Sequence, residues 1–193
     1  LSLKILISIY PRWEVAVIVE HMSRKIFSRP FTQQEAISQE AIDAATEVLK
    51  TGRLHRYNSI EDELSQVSLL EQEYANFQGS RYCLACASCG YALSIALKAA
   101  GLESGEYVLT NMCTLAPVPG AISNAGGRAI FVEINENLVL DLDDLAQKAT
   151  SSGARFLLLS HMRGHIVDMN KLMHIVQDNN LILIEDCAHT MGA

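Results

Sequence analysis

Cys83, Cys86 and Cys89, spaced by threes in YCLACASCGYAL, are the first residues whose pattern suggests chemistry. C-x-x-C-x-x-C suits an iron–sulfur cluster or a zinc site. The bacterial cluster motif needs a fourth cysteine followed by proline. Four residues after Cys89 stands Leu93, inside a helical pattern. A structural zinc needs a second ligand pair at suitable spacing, and Cys113 and Cys187 each stand alone in the sequence. Along a strand, Cys83 and Cys86 would point to opposite faces. The run therefore reads as a strand, a glycine turn and a helix, with no metal. Ser88, Cys89 and Gly90 then sit where the helix opens, and unpaired N–H groups there, aided by the helix dipole, attract phosphate. The turn is neither G-x-x-x-x-G-K-[ST] nor G-x-G-x-x-G.

The second place is LILIEDCAHTMGA, where four apolar residues lead to Glu185 and Asp186. The run reads as a buried central strand with Asp186 at its carboxyl end. A carboxylate held there is costly without a partner. One partner is the protonated pyridine nitrogen of pyridoxal phosphate. The other reading is a cap on the following segment or a pair with a surface base, and the residues alone leave both open. A phosphate near Gly90 and a ring nitrogen near Asp186 would be the two ends of one ligand. His161 and His165 flank MRG after another strand. They lack a third ligand at matching spacing, so they read as loop histidines shaping a site edge, with Arg163 a loop arginine. Asp141, Asp143 and Asp144 suit the first turn of a helix better than a cation site.

These residues need a frame. From residue 35 onward, helical and strand patterns alternate. QEAISQEAIDAATEVLKTG and EDELSQVSLLEQEYANFQG are amphipathic helices closed by Gly52 and Gly79. After them come strands RYCLACA, EYVLTN, RAIFVEI, RFLLLSH and LILIEDCA. The intervening helices are GYALSIALKAAG, APVPGAISNAGG, DLDDLAQKAT and MNKLMHIVQDNN. Short apolar strands joined by helices predict a doubly wound, three-layer α/β/α domain on a mostly parallel sheet. Ligands of such sheets bind at the carboxyl ends of strands. That rule points at residues 88–91, 111–115, 161–164 and 186–189.

The chain has 193 residues, net charge −7 and a pI near 5.3. With no basic stripe it offers nothing to nucleic acid, and no apolar run is long enough to span a bilayer. Five cysteines, an odd number, read as reduced thiols of a cytoplasmic protein. The segment LSLKILISIYPRWEVAVIVEH precedes the first methionine, Met22. Residues 1–21 are expected to be an extension outside the fold. Residues 22–193 are expected to form the N-terminal part of one domain that continues past Ala193.

Four blocks in series carry a resemblance: LEQEYANFQGSRYCLACASCGYALSIALKAAGLESGEYVLTN, AISNAGGRAIFVEI, LLLSHMRGHIVDM and LILIEDCAHTMGA. Over roughly residues 35–193 the chain resembles the DegT/DnrJ/EryC1/StrS sugar aminotransferases. That resemblance implies part of the large domain of a fold-type-I pyridoxal-phosphate transferase, acting as a homodimer. The implied reaction moves an amino group, often from glutamate, onto a nucleotide-linked keto-sugar. The family's phosphate turn, S-G-T-x-A-L, falls on Ser88 to Leu93. It implies phosphate contacts from the Gly90 and Tyr91 N–H groups, without the usual threonine hydroxyl. Leu115 fills a position where the family stacks an aromatic ring, a loss of roughly 1 kcal/mol. Asp186 matches the pyridine-nitrogen carboxylate, and His189 the residue nearest the ring hydroxyl. The family's Schiff-base lysine falls beyond Ala193, and Lys98 and Lys171 sit on helices. No catalytic residue is therefore assigned within this chain, which by itself should not complete a transamination. A non-catalytic relative and a sugar dehydratase of the same family are the alternatives.

Overall fold

The computed structural model describes residues 34–60 and 63–191. The expectation for residues 1–21 lies outside them. The chain divides into two compact units, residues 1–54 and 55–193. In the first unit, α1 spans Gln39–Thr51. Ser38 Oγ accepts from the Ala41 N–H at its start, and Gly52 closes it at φ 69°. Glycine takes that left-handed turn without a Cβ penalty.

The second unit begins with α2, Gln66–Gln78, capped by Ser65 and closed by Gly79. The three-layer unit follows. Its helices are α3 (Cys89–Ala99), α4 (Pro117–Ala125), α5 (Leu142–Ser152) and α6 (Met169–Asp178). Its strands are β1 (Tyr107–Asn111), β2 (Arg128–Val132), β3 (Phe156–Ser160) and β4 (Ile182–Asp186). The strands pair in the order β2-β1-β3-β4, all parallel.

Alternation along the strands explains the layers. Val108, Phe156 and Leu158 point to one face and pack with Leu93 and Leu97 of α3 and Val118 and Ile122 of α4. Leu109, Leu157 and Leu159 point to the other and pack with Leu145 of α5 and Leu172 and Val176 of α6. Apolar side chains on both faces are what a parallel sheet covered on both sides requires. Asp141 starts α5 by accepting from the Asp143 and Asp144 N–H groups, as the acidic first turn predicts. Among the described residues, no helix is long and apolar enough to cross a membrane.

Two expectations are corrected. Residues 82–86 form no strand. Their Ala85 N–H donates to Glu71 Oε1 at 2.7 Å, so a carboxylate takes the place of a ladder partner. Glu71 is fixed in turn by a two-pronged bond from Arg56 at 2.7 Å on each oxygen. The opposite-face argument for Cys83 and Cys86 therefore loses its strand. Among the described strands, β1 and β3 are interior, and β3 is buried at every residue. β4 has one neighbour among the described strands and is only partly covered, with Ile182 exposed.

Candidate active site at the carboxyl edge of the sheet

The carboxyl ends of β1, β3 and β4 are tied together by polar side chains. Asn111 ends β1 and is 3% exposed. Its Oδ1 accepts from the Ser160 N–H at 2.9 Å, while its Nδ2 donates to Ser160 O at 3.1 Å and Cys113 O at 2.7 Å. A side-chain amide thus continues the ladder one step past the β1–β3 backbone pairing. This clamp fixes Ser160, whose hydroxyl donates to Asp186 Oδ2 at 3.1 Å.

Asp186 ends β4. Its Oδ1 accepts from the Ala188 N–H at 3.2 Å and lies 3.6 Å from the Cys89 thiol. Asp186 therefore caps the turn after β4 and also faces α3. The two readings of this residue describe one carboxylate with spare acceptor capacity. Cys89 is the first residue of α3, so its thiol brings the opening of α3 against the end of β4. Burial pushes the Cys89 thiol pKa up, and the Asp186 charge pushes it further. The residue is held as S–H, a donor toward the carboxylate.

The opening of α3 is divided in a way the sequence does not announce. Ser88 Oγ accepts from the Tyr91 N–H at 3.2 Å, so one of the two expected phosphate donors is already paired. Among the described residues, the Cys89 and Gly90 N–H groups meet no acceptor. Gly90 has no positive φ, and a Cβ there would stand 3.6 Å from Pro117 Cβ, an ordinary contact. The glycine leaves room at the turn and is not demanded by the backbone. Two unpaired N–H groups at a helix start suit an anion. The adjoining Asp186 suits a protonated ring nitrogen or another cation.

His189 stands on the same edge, exposed, and its Nδ1 accepts from the Arg163 N–H at 3.2 Å. Arg163 adopts φ 58°, unusual for a residue with a side chain. In the neutral imidazole this bond places the proton on Nε2, which is left to donate outward. Leu115 lies half-exposed between β1 and α4, its carbonyl accepting from the Val118 N–H. His161, just past β3, is 4% exposed, with Nε2 2.8 Å from Glu185 Oε2. His161, Glu185 and Cys187 form a set of ligand-type side chains within 4.8 Å of one another. The His161–Glu185 hydrogen bond accounts for two of them.

Reading the sequence brought Gly90, Tyr91 and Asp186 to one edge but missed the side chains that join them. Ser160 carried one signal, a polar residue closing the all-apolar run FLLLS. The sequence offers Cys89 as a metal ligand or as an occupant of the turn, and its thiol turns to Asp186.

The sequence model of the DegT/DnrJ/EryC1/StrS aminotransferase family matches residues 35–193. The spore coat polysaccharide biosynthesis protein SpsC of Bacillus subtilis is 30% identical over 156 residues, 80% of this chain and 38% of that protein. The dTDP-3-amino-3,4,6-trideoxy-alpha-D-glucose transaminase of Micromonospora megalomicea is 30% identical over 154 residues, 80% of this chain and 39% of its own length. The chain thus spans about two fifths of the length of these curated relatives. Among solved structures, a putative sugar aminotransferase of Streptococcus pneumoniae in its PLP form superposes with a TM-score of 0.75 at 18% identity. That match covers 86% of this chain and 44% of the other.

Proposed function

The chain belongs to the DegT/DnrJ/EryC1/StrS aminotransferase family, and from that premise we propose that it forms the cofactor-holding part of a pyridoxal-phosphate aminotransferase. Its substrate in this reading is a keto-sugar carried on a nucleotide, with glutamate as amino donor. The observation that carries the reading is the Cys89–Asp186 contact. It sets the anion-attracting start of α3 against the carboxylate that ends β4. Pyridoxal phosphate has matching groups, a phosphate at one end and a basic ring nitrogen at the other.

In this reading the Cys89 and Gly90 N–H groups hold the phosphate, with the α3 dipole behind them. Asp186 holds a proton at the ring nitrogen, and Ser160 keeps the carboxylate turned toward it. His189 offers its Nε2 proton to the ring hydroxyl. Leu115 supplies apolar surface without aromatic stacking. When bound, the cofactor supplies the electron sink that amino transfer needs. The lysine that would hold it is not assigned here. Lys98 lies in the last turn of α3, at the far end from Ser88, and Lys171 is exposed beside Asp168. A homodimer and a cytoplasmic site of action belong to the same proposal.

The test is an amino-transfer assay of the whole protein with pyridoxal phosphate, glutamate and nucleotide-linked keto-sugars. The expected result is an amino-sugar product. Asp186→Ala should lower the rate at least about a hundredfold, the scale of losing a positioned proton-holding group. Full activity in that variant, or loss of sugar hydroxyl without gain of nitrogen, would overturn the proposal. The second outcome would indicate a dehydratase.

A further inference from the structure

We propose that Cys89 is a positioning residue for Asp186, acting through its thiol as the side-chain link between the phosphate end and the ring-nitrogen end of the site. The inference rests on the proposed function. Asp186 is held on two sides by its own neighbourhood, from Ser160 at the end of β3 and from Ala188 in the turn that follows. Cys89 is the donor that comes from α3. Among the described residues, it makes the hydrogen bond that joins α3 to β4.

A glycine at residue 89, which the family resemblance would lead one to expect, has no side chain to make this link. A thiol is a weak donor, but here it meets a charged acceptor, and hydrogen bonds to charged groups are the stronger class. The contact joins the residue that opens α3 to the carboxylate that ends β4. It therefore fixes the carboxylate relative to the two unpaired N–H groups. Burial and the neighbouring charge keep the sulfur protonated, so that it donates to Asp186 and does not repel it.

The test has two arms on the full protein. The first needs no cofactor. The reaction of Cys89 with 5,5′-dithiobis(2-nitrobenzoate) is followed at neutral pH, with the labelled cysteine identified by peptide mass spectrometry. Asp186→Asn should speed labelling of Cys89 about threefold or more, because removing the charge raises the thiolate fraction while nucleophilicity falls only in part. The second arm titrates pyridoxal phosphate by fluorescence. Cys89→Ala should weaken binding about three- to tenfold, the scale of one ordinary hydrogen bond, since the weak thiol donor offsets the strength its charged acceptor brings. Cys89→Ser should return binding to within about twofold of the native protein.

Unchanged labelling in Asp186→Asn overturns the contact. Native-like binding in Cys89→Ala, or serine no better than alanine, overturns the positioning role. Faster labelling with no cofactor binding by the native protein leaves the contact standing. That outcome rejects the proposed function and, with it, the positioning of Asp186 for that ligand.

Discussion

Truncating Asn111 tests whether the carboxyl edge is assembled by the side chains described. Asn111→Ala removes three hydrogen bonds at 2.7 to 3.1 Å from a side chain that is 3% exposed. The cost comes mainly from what is left behind. Ser160 is 7% exposed, and its N–H and C=O both lose the amide partner. A buried group left unpaired costs about 1–3 kcal/mol, and water entering the small gap recovers part of that. The expected loss is about 3 kcal/mol in urea unfolding of the protein, read as a lower midpoint at unchanged slope. Asn111→Asp is the sharper variant. It keeps an acceptor for the Ser160 N–H but turns a carboxylate oxygen toward the Ser160 and Cys113 carbonyls. It should be no more stable than the alanine variant. A loss below about 1 kcal/mol in Asn111→Ala, or native stability in Asn111→Asp, would refute the clamp.

Three further outcomes follow. A Cβ on Gly127 would meet Leu102 Cδ2 at 3.0 Å, Ile122 Cγ2 at 3.2 Å and Val108 Cγ2 at 3.3 Å. Gly127→Ala should therefore cost about 1–3 kcal/mol by overpacking the α3–α4 face, as thermal or urea unfolding would show. Gly90→Ala should change stability by less than about 0.5 kcal/mol, since its new methyl meets Pro117 at ordinary distance. The Glu133 N–H, aided by Lys148, holds the Asp144 carboxyl below its ordinary range. The folded value is the lower one, so this stabilisation is present above the unfolded value of about 3.9 and fades as pH falls through the folded value. Stability measured from pH 6 down to pH 2 should fall less steeply below about pH 4 in Asp144→Asn than in the native protein.

The layers were legible because the strands carry continuous apolar runs and the helices carry caps. Gly52, Gly79 and Asp141 stand where their types predict, closing α1 and α2 and opening α5. Local chemistry settles such features, so local sequence announces them. RYCLACA failed because strand formation depends on a neighbour. Its apolar pattern is sound, but Glu71, bound to the Ala85 N–H, is what the segment meets. Among the described strands β4 pairs with β3 alone, and LILI looks alike with one neighbour or two.

At the site, Asp186 and Gly90 were legible from position at a strand end and a helix start. The bonds that connect them run between distant residues. Ser160 to Asp186 spans 26 positions, Asn111 to Ser160 spans 49 and Cys89 to Asp186 spans 97. Nothing in a residue's own surroundings records such a partner. Tyr91 is expected as a phosphate donor, and its N–H meets Ser88 Oγ, because Ser88 serves equally well as a helix cap or a phosphate contact. Here it caps.

In the proposed function, one ligand bridges the start of α3 and the end of β4. A crystal structure of the protein with pyridoxal phosphate is the decisive experiment. Phosphate oxygens are expected within about 3.2 Å of the Cys89 and Gly90 nitrogens. The ring nitrogen is expected at hydrogen-bond distance from Asp186, with the Cys89 thiol still on that carboxylate. Phosphate bound elsewhere, or Asp186 facing no part of the ring, would contradict the proposal.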